Sequence, residues 1–302
     1  MIRRRVVIVF VITGATGQLG SRIVDQLLAR VSAATVGVSV RDVDKAAHLA
    51  ERGVRVRRGD FTDPATLEQA FAGADQVLIV SAAIRGGDAV GANRAAIDAA
   101  CAAGATRILY TSHQAASRDS LFPAQVTHAV TEEHLAATGV PFTALRNGFY
   151  ASTLGFVIGD AVTTGRLVAP ADGPVSWTAH DDLAEAAAIA LAGRGGLDGV
   201  TPALTAGEAL DLAAVADILT DLTGRTVTRV VLDDDEWRST AVARGMPEAA
   251  ADFTLGMYRA ARRGEFAVTD PALQTLLGRR PTPARSVAET LVAAGPQPVR
   301  PV

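Results

Sequence analysis

Residues 7–20 read VIVFVITGATGQLG, and this stretch decides the fold of the chain. The apolar, β-branched run is typical of a strand buried on both faces. It leads into three glycines, Gly14, Gly17 and Gly20, and then into an amphipathic helix. The first glycine suits a tight turn, the second lets the backbone approach a pyrophosphate, and the third allows the helix to pack closely on the strand. Because helix N-termini attract phosphates, the pattern favours a dinucleotide-binding loop over a plain tight turn.

The residues before this strand imitate a secretory signal. Arg3-Arg4-Arg5 precede an apolar run and then small residues. Cleavage there would remove the strand and its glycine loop, and no other stretch approaches the roughly 20 apolar residues that span a bilayer. We therefore expect a soluble, cytoplasmic protein with no membrane partner.

The amino-acid composition limits the kinds of ligand and chemistry that we expect of the protein. A net charge of −3 with mixed signs gives no basic surface for nucleic acid. The single cysteine, Cys101, lies in an alanine-rich helical stretch and is expected to be a buried small residue. Lys45 is the only lysine, which limits the acid–base chemistry available.

Strand and helix patterns alternate regularly after the glycine loop. Further strands are predicted near 34–40, 54–58, 75–80, 105–111 and 141–145. Helices are predicted near 17–30, 43–52, 64–72, 87–103 and 124–138. This rhythm predicts an α/β fold with a doubly wound parallel sheet of the Rossmann type. We assign residues 1–150 to an NADP-binding domain, with a return segment at 174–205, and residues 151–302 to a smaller, mainly helical lobe that covers the substrate.

Ligands of such sheets bind at the carboxyl ends of the strands. The residues that follow the six predicted strands are Gly14, Arg41, Asp60 with Phe61, Ser81 with Ala82, Ser112 with His113, and Asn147. One edge of the sheet is therefore expected to collect the site.

The pattern loosens after about residue 150. Glycine and proline interrupt 155–175, a helix is predicted near 181–192 and a short strand near 200–205. More helices are predicted near 208–223, 234–244, 247–261 and 284–293. The acidic run 233–236 is interpreted as a solvated helix N-terminus rather than a metal site. Trp177 and Trp237 are interpreted as core residues, with a pocket lining as the alternative.

The end of the second strand bears on the choice of nicotinamide cofactor. A free ribose 2′-hydroxyl usually meets a carboxylate about 20 residues beyond the glycines, whereas a 2′-phosphate requires arginine or lysine. Arg41 stands at the strand end and Lys45 follows one helical turn later. Asp42 is evidence for NADH, and the two cations could simply cap and solvate a helix. We favour NADPH.

Several motifs together resemble the NmrA-like branch of the atypical short-chain dehydrogenase/reductases, in particular its bacterial NADPH-dependent quinone oxidoreductase type. They are the glycine loop at 13–20, Val40-Arg41-Asp42, Gly59-Asp60-Phe61, Tyr110-Thr111-Ser112 and the LRNGFY block at 145–150.

The resemblance implies a set of cofactor contacts. The pyrophosphate would lie against Gly14, Ala15, Thr16, Gly17, Gln18 and Leu19. Arg41 and Lys45 would bind the 2′-phosphate, and Asp60 with Phe61 the adenine. The residues flanking the nicotinamide would be Ser81, Ala82 and Ser112, and Asn147 would face the substrate.

The chain departs from ordinary short-chain dehydrogenases, which use a tyrosine and a lysine four residues later to exchange a proton. None of the three tyrosines has a lysine at that spacing. His128 and Glu132 are spaced to share a helix face, so they are interpreted either as a proton relay or as a surface ion pair. A lysine often follows that glutamate in the relatives, and this chain has Glu133 there. His113 is a separate candidate proton donor.

The missing proton machinery favours an acceptor that tolerates negative charge. We predict an NADPH-dependent reductase of a quinone-like or other electron-poor small molecule, with Asn147 hydrogen-bonding the acceptor's carbonyl oxygen and His128 in a lesser role. Two alternatives stay open: a redox sensor that binds NADP without turning it over, and a reductase or isomerase of one pathway. The sequence also leaves a homodimer open.

Overall fold

The protein is described here by a computed structural model covering residues 8–82, 88–193 and 195–295. The arginine run at 3–5 and the first residue of the predicted opening strand, Val7, lie outside these ranges. The strands are β1 (Phe10–Thr13), β2 (Val36–Val40), β3 (Arg55–Arg58), β4 (Gln76–Ile79), β5 (Arg107–His113), β6 (Phe142–Asn147), β7 (Arg166–Pro170), β8 (Gly199–Val200) and β9 (Thr228–Leu232).

The α-helices follow the predicted alternation in the first half of the chain. They are α1 (Gln18–Leu28), α2 (Ala47–Glu51), α3 (Pro64–Phe71), α4 (Ala89–Ala102), α5 (Pro123–Ala137), α6 (Gly155–Thr164), α7 (His180–Leu191), α8 (Leu212–Thr223), α9 (Asp234–Ala243), α10 (Glu248–Arg262), α11 (Ala272–Leu277) and α12 (Ala284–Ala293). Among the described residues, no helix combines the length and the apolar character that crossing a bilayer requires.

The described chain divides into two compact units. The first unit comprises residues up to 112 together with 128–146 and 183–201, and the second comprises 113–127, 147–182 and the residues from 202 onward. The chain passes between the units several times. The predicted domain limits at residue 150 and at 174–205 stay a prediction.

A seven-stranded parallel sheet forms the frame of the first unit, in the order β3-β2-β1-β4-β5-β6-β8. Phe10 of β1 pairs with Val36 of β2 on one side and with Gln76 of β4 on the other. The chain therefore builds outward from β1 in one direction and then reverses. Right-handed crossovers place the helices before and after this reversal on opposite faces of the sheet. The predicted doubly wound fold is confirmed, and folds of this kind bind ligands where the strand order reverses.

The core of the first unit is apolar on the faces of the central strands. Val11, Val77 and Ile108 pack with Phe71 of α3 and Ile97 of α4. Burial of this kind contributes about 25 cal/mol per Å² of apolar surface, so it holds the strand ends in fixed positions.

The second unit has its own core and a two-stranded parallel sheet of β7 and β9. Phe149, Trp177 and Phe266 are buried together in that core. The Trp177 indole Nε1 donates to the carbonyl of Leu210 at 2.9 Å. Trp237 packs partly buried against the same core, so both tryptophans have the core role favoured from the sequence.

The structure adds elements that the sequence pattern did not predict. Glycine and proline suggested an irregular 155–175, yet α6 and β7 lie there. Two glycines and several β-branched residues lower the intrinsic helix propensity of α6. Burial of Ile158 and Ala161 compensates, and Gly165 ends the helix at φ 71°. The strands β8 and β9 and helix α11 also differ: β8 is shorter than the predicted 200–205, and the other two were not predicted.

Candidate active site

The three glycines of the first unit's loop meet different steric constraints. Gly14 has φ 64°, a conformation that residues with a side chain rarely adopt. The Gly17 amide donates to the Gly14 carbonyl at 2.9 Å and closes the turn. A Cβ at Gly20 would lie 2.1 Å from the Gly14 oxygen, so α1 packs on the loop only without one. A Cβ at Gly17 would meet that oxygen at 3.2 Å, which small adjustments relieve.

The exposed side of the loop combines glycine backbone with two polar side chains. Ala15 and Leu19 are buried, whereas the exposed positions are Gly14, Thr16, Gly17 and Gln18. Gly17 is the N-cap of α1, and no described side chain caps that helix start. The first amides of an 11-residue helix are therefore oriented for an anion. A helix start of this kind can bind a phosphate group.

The loop after β2 contains Arg41 and Lys45, both exposed. The Lys45 ammonium lies 3.5 Å from the Asp42 carboxylate. Asp42 also accepts the Asp44 amide at 3.1 Å. Asp42, the residue that argued for NADH, is thus directed along its own turn and partly neutralises Lys45. Arg41 stands immediately beyond the strand end.

Asp60 and Phe61 follow β3 as predicted. Asp60 accepts the backbone amide of Thr62 at 2.9 Å and its hydroxyl at 2.8 Å. These hydrogen bonds, with smaller contributions from the nearby charges of Arg41 and Arg58, hold the pKa of the Asp60 carboxyl below its usual range. Phe61 packs partly buried against the first unit's core.

Ser81 and Ala82 follow β4, and buried side chains hold their backbone. The Ser81 amide donates to the Thr111 hydroxyl at 2.8 Å, and the Ala82 amide donates to the Asn93 side chain at 2.9 Å. The chain path after β4 is therefore set by polar groups of β5 and α4. The next residues, 83–87, lie outside the described ranges.

Ser112 belongs to a buried charged cluster. Its hydroxyl donates to Glu132 Oε1 at 2.5 Å. Arg146 holds the same carboxylate with two hydrogen bonds, from Nε at 3.0 Å and from Nη2 at 2.7 Å. Glu132 is only 6% exposed, so its interpretation as a surface ion pair is wrong. The hydrogen bond to Glu132 also raises the pKa of Arg146, which stays charged.

His128 hydrogen-bonds Tyr110, whereas Glu132 hydrogen-bonds Ser112 and Arg146. The His128 Nδ1 lies 2.9 Å from the hydroxyl of Tyr110, a fully buried residue. Burial lowers the pKa of His128 to about 4. The imidazole is therefore neutral at physiological pH, and it is poorly suited to serve as a cationic acid.

Asn147 is the last residue of β6, and it begins a segment of the second unit. Its backbone carbonyl accepts a hydrogen bond from the backbone amide of Gln114 at 2.8 Å, and Asn147 is 1% exposed. The side-chain Oδ1 has no hydrogen-bond partner among the residues that the structure describes. The amide also hydrogen-bonds Tyr150, which partly offsets the rise that burial causes in the Tyr150 pKa. The Tyr150 ring lies 4.4 Å, centroid to centroid, from His180.

His113, the other candidate proton donor, lies among aromatic rings of the second unit. Its ring contacts Phe149 and Phe266 edge-on, with centroids 5.5 and 5.8 Å away. A proton-donor role for His113 stays a prediction, as do the roles of all the predicted site residues.

The sequence did not single out several polar residues that shape this site. Thr111 and Asn93 position the backbone after β4, and Arg146 fixes Glu132. Thr111 belongs to the Tyr110-Thr111-Ser112 motif and Arg146 to the LRNGFY block. A polar residue in a strand predicted to be buried could have indicated their structural roles. Asn93 had no signal, because a polar residue in a helix is usually solvated.

Known proteins resemble this chain over nearly its whole length. Quinone oxidoreductase 2 of Escherichia coli (strain K12) is 32% identical over 93% of this chain and 96% of its own. A crystal structure of the NADPH-dependent quinone oxidoreductase from E. coli, complexed with NADPH, matches 94% of this chain and 99% of its own with a TM-score of 0.88 and 31% identity. The Citrobacter sp. triphenylmethane reductase complexed with NADP(H) matches 94% of this chain and 99% of its own, with a TM-score of 0.85 and 32% identity.

A family model matches as well. The model described as the NmrA-like family covers residues 7–271, which include the glycine loop, the charged cluster around Glu132 and Asn147. The resemblance drawn from the sequence motifs is therefore confirmed, and the chain belongs to the NmrA-like family.

Proposed function

We propose that this protein is an NADPH-dependent oxidoreductase that transfers a hydride to a quinone-like or other electron-poor small molecule. The observation that carries the proposal is the glycine loop, whose backbone amides and uncapped α1 N-terminus in the described structure fit a pyrophosphate. When bound, NADPH supplies the hydride from its nicotinamide ring.

The first unit's residues would hold this cofactor along one sheet edge. The loop at 14–19 would bind the pyrophosphate through backbone amides, and Arg41 the 2′-phosphate. Ser81 and Ala82, whose amides are already committed, would define the wall beside the nicotinamide. The Ser112 hydroxyl donates to Glu132 and retains its lone pairs for a donor on the cofactor.

The proton chemistry of the chain favours an acceptor that tolerates negative charge. Lys45 is the only lysine, and the residue four positions before it is Arg41, so no tyrosine of the chain has a lysine four residues later. Lys45 also pairs with Asp42. His128 is neutral, which makes it a weak proton source. A quinone accepts hydride to give a stabilised anion, which water can protonate afterwards, whereas an unactivated ketone requires an acid during the transfer.

Asn147 would position the acceptor and stabilise its developing charge. Its Nδ2 group can donate to the acceptor's carbonyl oxygen, which gains negative charge as hydride arrives. Its buried Oδ1 lacks a partner among the described residues, and such an atom costs about 1–3 kcal/mol unless a ligand or water supplies a donor. The hydroxyl of a reduced quinone is a donor of this kind.

Two measurements test the proposal. Purified protein is titrated with NADPH and NADH by nicotinamide fluorescence, and NADPH oxidation is then followed across a panel of quinones and enones. We expect preferential NADPH binding and turnover with the most electron-poor quinones. Tight NADPH binding without oxidation by any acceptor would contradict the enzymatic proposal and favour a redox sensor.

The setting of the reaction is part of the same proposal. We infer a small-molecule substrate and a cytoplasmic location. A homodimer stays a prediction, which light scattering after size-exclusion chromatography would test.

A further inference from the structure

The end of β3 brings an additional arginine next to the loop predicted to bind the 2′-phosphate. Arg58 is the Cα partner of Val40 in the parallel register of β2 and β3. The Gly59 amide donates to the Val40 carbonyl at 2.9 Å, so this pairing extends to the ends of both strands. Arg41 is the residue directly after Val40. Arg58 and Arg41 thus leave adjacent strands at the same edge of the sheet.

The other arginines of β3 have structural contacts. Arg57 Nη1 donates to the carbonyls of Gln69 at 2.7 Å and Ala72 at 3.1 Å, at the end of α3. Arg55 packs against Gly37, and burial lowers the pKa of its guanidinium. Arg58 is exposed, and its side chain is on the opposite face of the strand from that of Arg57. Its position leaves it accessible to a ligand.

The local charges indicate that Arg58 and Arg41 share one neighbourhood. Both guanidinium groups act on the Asp60 carboxylate, which follows β3 by two residues. Asp60 carries a single negative charge, so it does not fully neutralise two cations, and Thr62 already holds one oxygen of its carboxylate. Lys45 differs, because Asp42 lies 3.5 Å from its ammonium. A ligand with two negative charges is matched better by the two arginines than by Arg41 and Lys45.

We propose that Arg58 is a second residue that binds the 2′-phosphate of NADPH, and that Arg41 and Arg58, rather than Lys45, distinguish NADPH from NADH. The proposal rests on the proposed NADPH site. A phosphate monoester carries about −1.5 to −2 charges at pH 7 and several strong acceptor oxygens. Guanidinium groups bind such a group through paired hydrogen bonds.

The test compares variants of three arginines, each of which removes one positive charge. Arg58→Gln is expected to weaken NADPH binding by about tenfold, because the site is exposed and partly screened, and to leave NADH binding within about twofold. Arg41→Ala should also affect NADPH selectively. Arg57→Gln removes the same charge one residue away on the opposite face, so its NADPH-to-NADH affinity ratio should match that of the wild type. Nicotinamide fluorescence gives the dissociation constants, and thermal unfolding confirms that each variant is folded.

A competing nucleotide separates the phosphate from the rest of the cofactor. 2′,5′-ADP carries the 2′-phosphate without the nicotinamide, and 5′-ADP lacks that phosphate. Arg58→Gln should weaken 2′,5′-ADP and leave 5′-ADP unchanged, and the difference should shrink at high salt.

Different failures have different meanings. If wild-type protein prefers NADPH and Arg58→Gln keeps the full preference while Lys45→Gln loses it, Lys45 is the second cation and the role of Arg58 is wrong. Equal weakening of NADPH and NADH by Arg58→Gln would also overturn it. If wild-type protein binds neither nucleotide, the proposed function fails together with this assignment.

Discussion

The glycine loop and the Glu132 cluster, both in the first unit, form their parts of the site by opposite means. The loop uses backbone: Gly14 adopts φ 64°, and Gly20 lies where a Cβ would be 2.1 Å from a carbonyl oxygen. The cluster uses side chains: Ser112, Glu132 and Arg146 satisfy one another. The loop therefore depends on the absence of atoms, and the cluster depends on matched charge. Substitutions should separate these two kinds of dependence.

The largest expected effect is in the loop. Gly17→Val should abolish binding of both nucleotides, because a branched side chain would occupy the space where the backbone meets the pyrophosphate. We expect the variant to fold, because the nearest described atom to a Cβ at Gly17 is the Gly14 oxygen at 3.2 Å, which has to move by only a few tenths of an ångström. Fluorescence titration with NADPH and NADH, paired with circular dichroism, measures both properties.

Two further glycines act as controls. Gly20→Ala should lower the free energy of unfolding, because its Cβ would overlap the Gly14 backbone. Gly207→Ala should change neither property, because no described atom lies within 4 Å of the added Cβ. Normal NADPH binding by a folded Gly17→Val variant would place the phosphate site elsewhere.

The charged cluster should respond to loss of charge rather than to added volume. Glu132→Gln keeps the shape of the side chain and leaves the Arg146 guanidinium without its carboxylate. We expect the free energy of unfolding to fall by about 2–3 kcal/mol, below the roughly 3–5 kcal/mol for a fully buried pair because Arg146 is 31% exposed. Urea unfolding measures this change.

The neighbouring residue provides a matched control. Glu133 is exposed, so Glu133→Gln removes the same charge and should change stability by no more than about 1 kcal/mol, the range of solvent-exposed ion pairs. Equal effects of the two variants would mean that the cluster contributes through net charge alone.

Asn147 extends the comparison to the second unit. Its side chain is buried, and its Oδ1 has no hydrogen-bond partner among the described residues. If Asn147 stabilises charge on the acceptor, Asn147→Ala should lower kcat by about 100-fold while NADPH affinity stays nearly constant. Asn147→Ala also removes the hydrogen bond to Tyr150, so the free energy of unfolding should fall by about 1 kcal/mol, partly offset because a buried Oδ1 without a partner among the described residues is lost too. Steady-state kinetics with the best quinone and NADPH titration provide the two readouts.

His128→Ala is the informative counterpart. It should reduce kcat far less, because a neutral imidazole is not required when water protonates a quinone anion. If His128→Ala removes activity and flattens the pH profile while Asn147→Ala is mild, the reaction uses a dedicated acid and the positioning mechanism is wrong.

These regions also differ in what the sequence could predict. The loop was predictable because backbone geometry strongly favours glycine at positions 14 and 20 and leaves little room at position 17, and the glycine spacing reports these constraints directly. The Glu132 cluster was not, because the i and i+4 spacing shows only that Glu132 and His128 share a helix face. The observed partners, Ser112 and Arg146, are on strands β5 and β6, so their proximity to Glu132 depends on how the sheet and α5 pack. Helix α6 was missed for a related reason: burial of Ile158 and Ala161 outweighs a weak local propensity.

The smallest expected effect is the loss of stability that His128 causes at low pH. The folded state holds the pKa of His128 at about 4, below the roughly 6.5 of an unfolded histidine, because burial disfavours the imidazolium. The unfolded chain therefore binds a proton at higher pH than the folded chain does. The stability that His128 contributes by staying neutral is present above about pH 6.5 and is lost as pH falls towards the folded pKa.

The lowered pKa of His128 predicts how much the free energy of unfolding changes with pH, and this change can be measured directly. Between about pH 7 and about pH 5, this one group should lower the free energy of unfolding by about 2 kcal/mol. His128→Gln should remove that part of the acid dependence, so urea-unfolding curves of wild type and variant should converge as pH falls. His48→Gln, at an exposed position, should retain the wild-type dependence. Parallel pH curves for wild type and His128→Gln would show that the imidazole titrates normally, and a charged His128 would then be available as the acid that the quinone mechanism does not require.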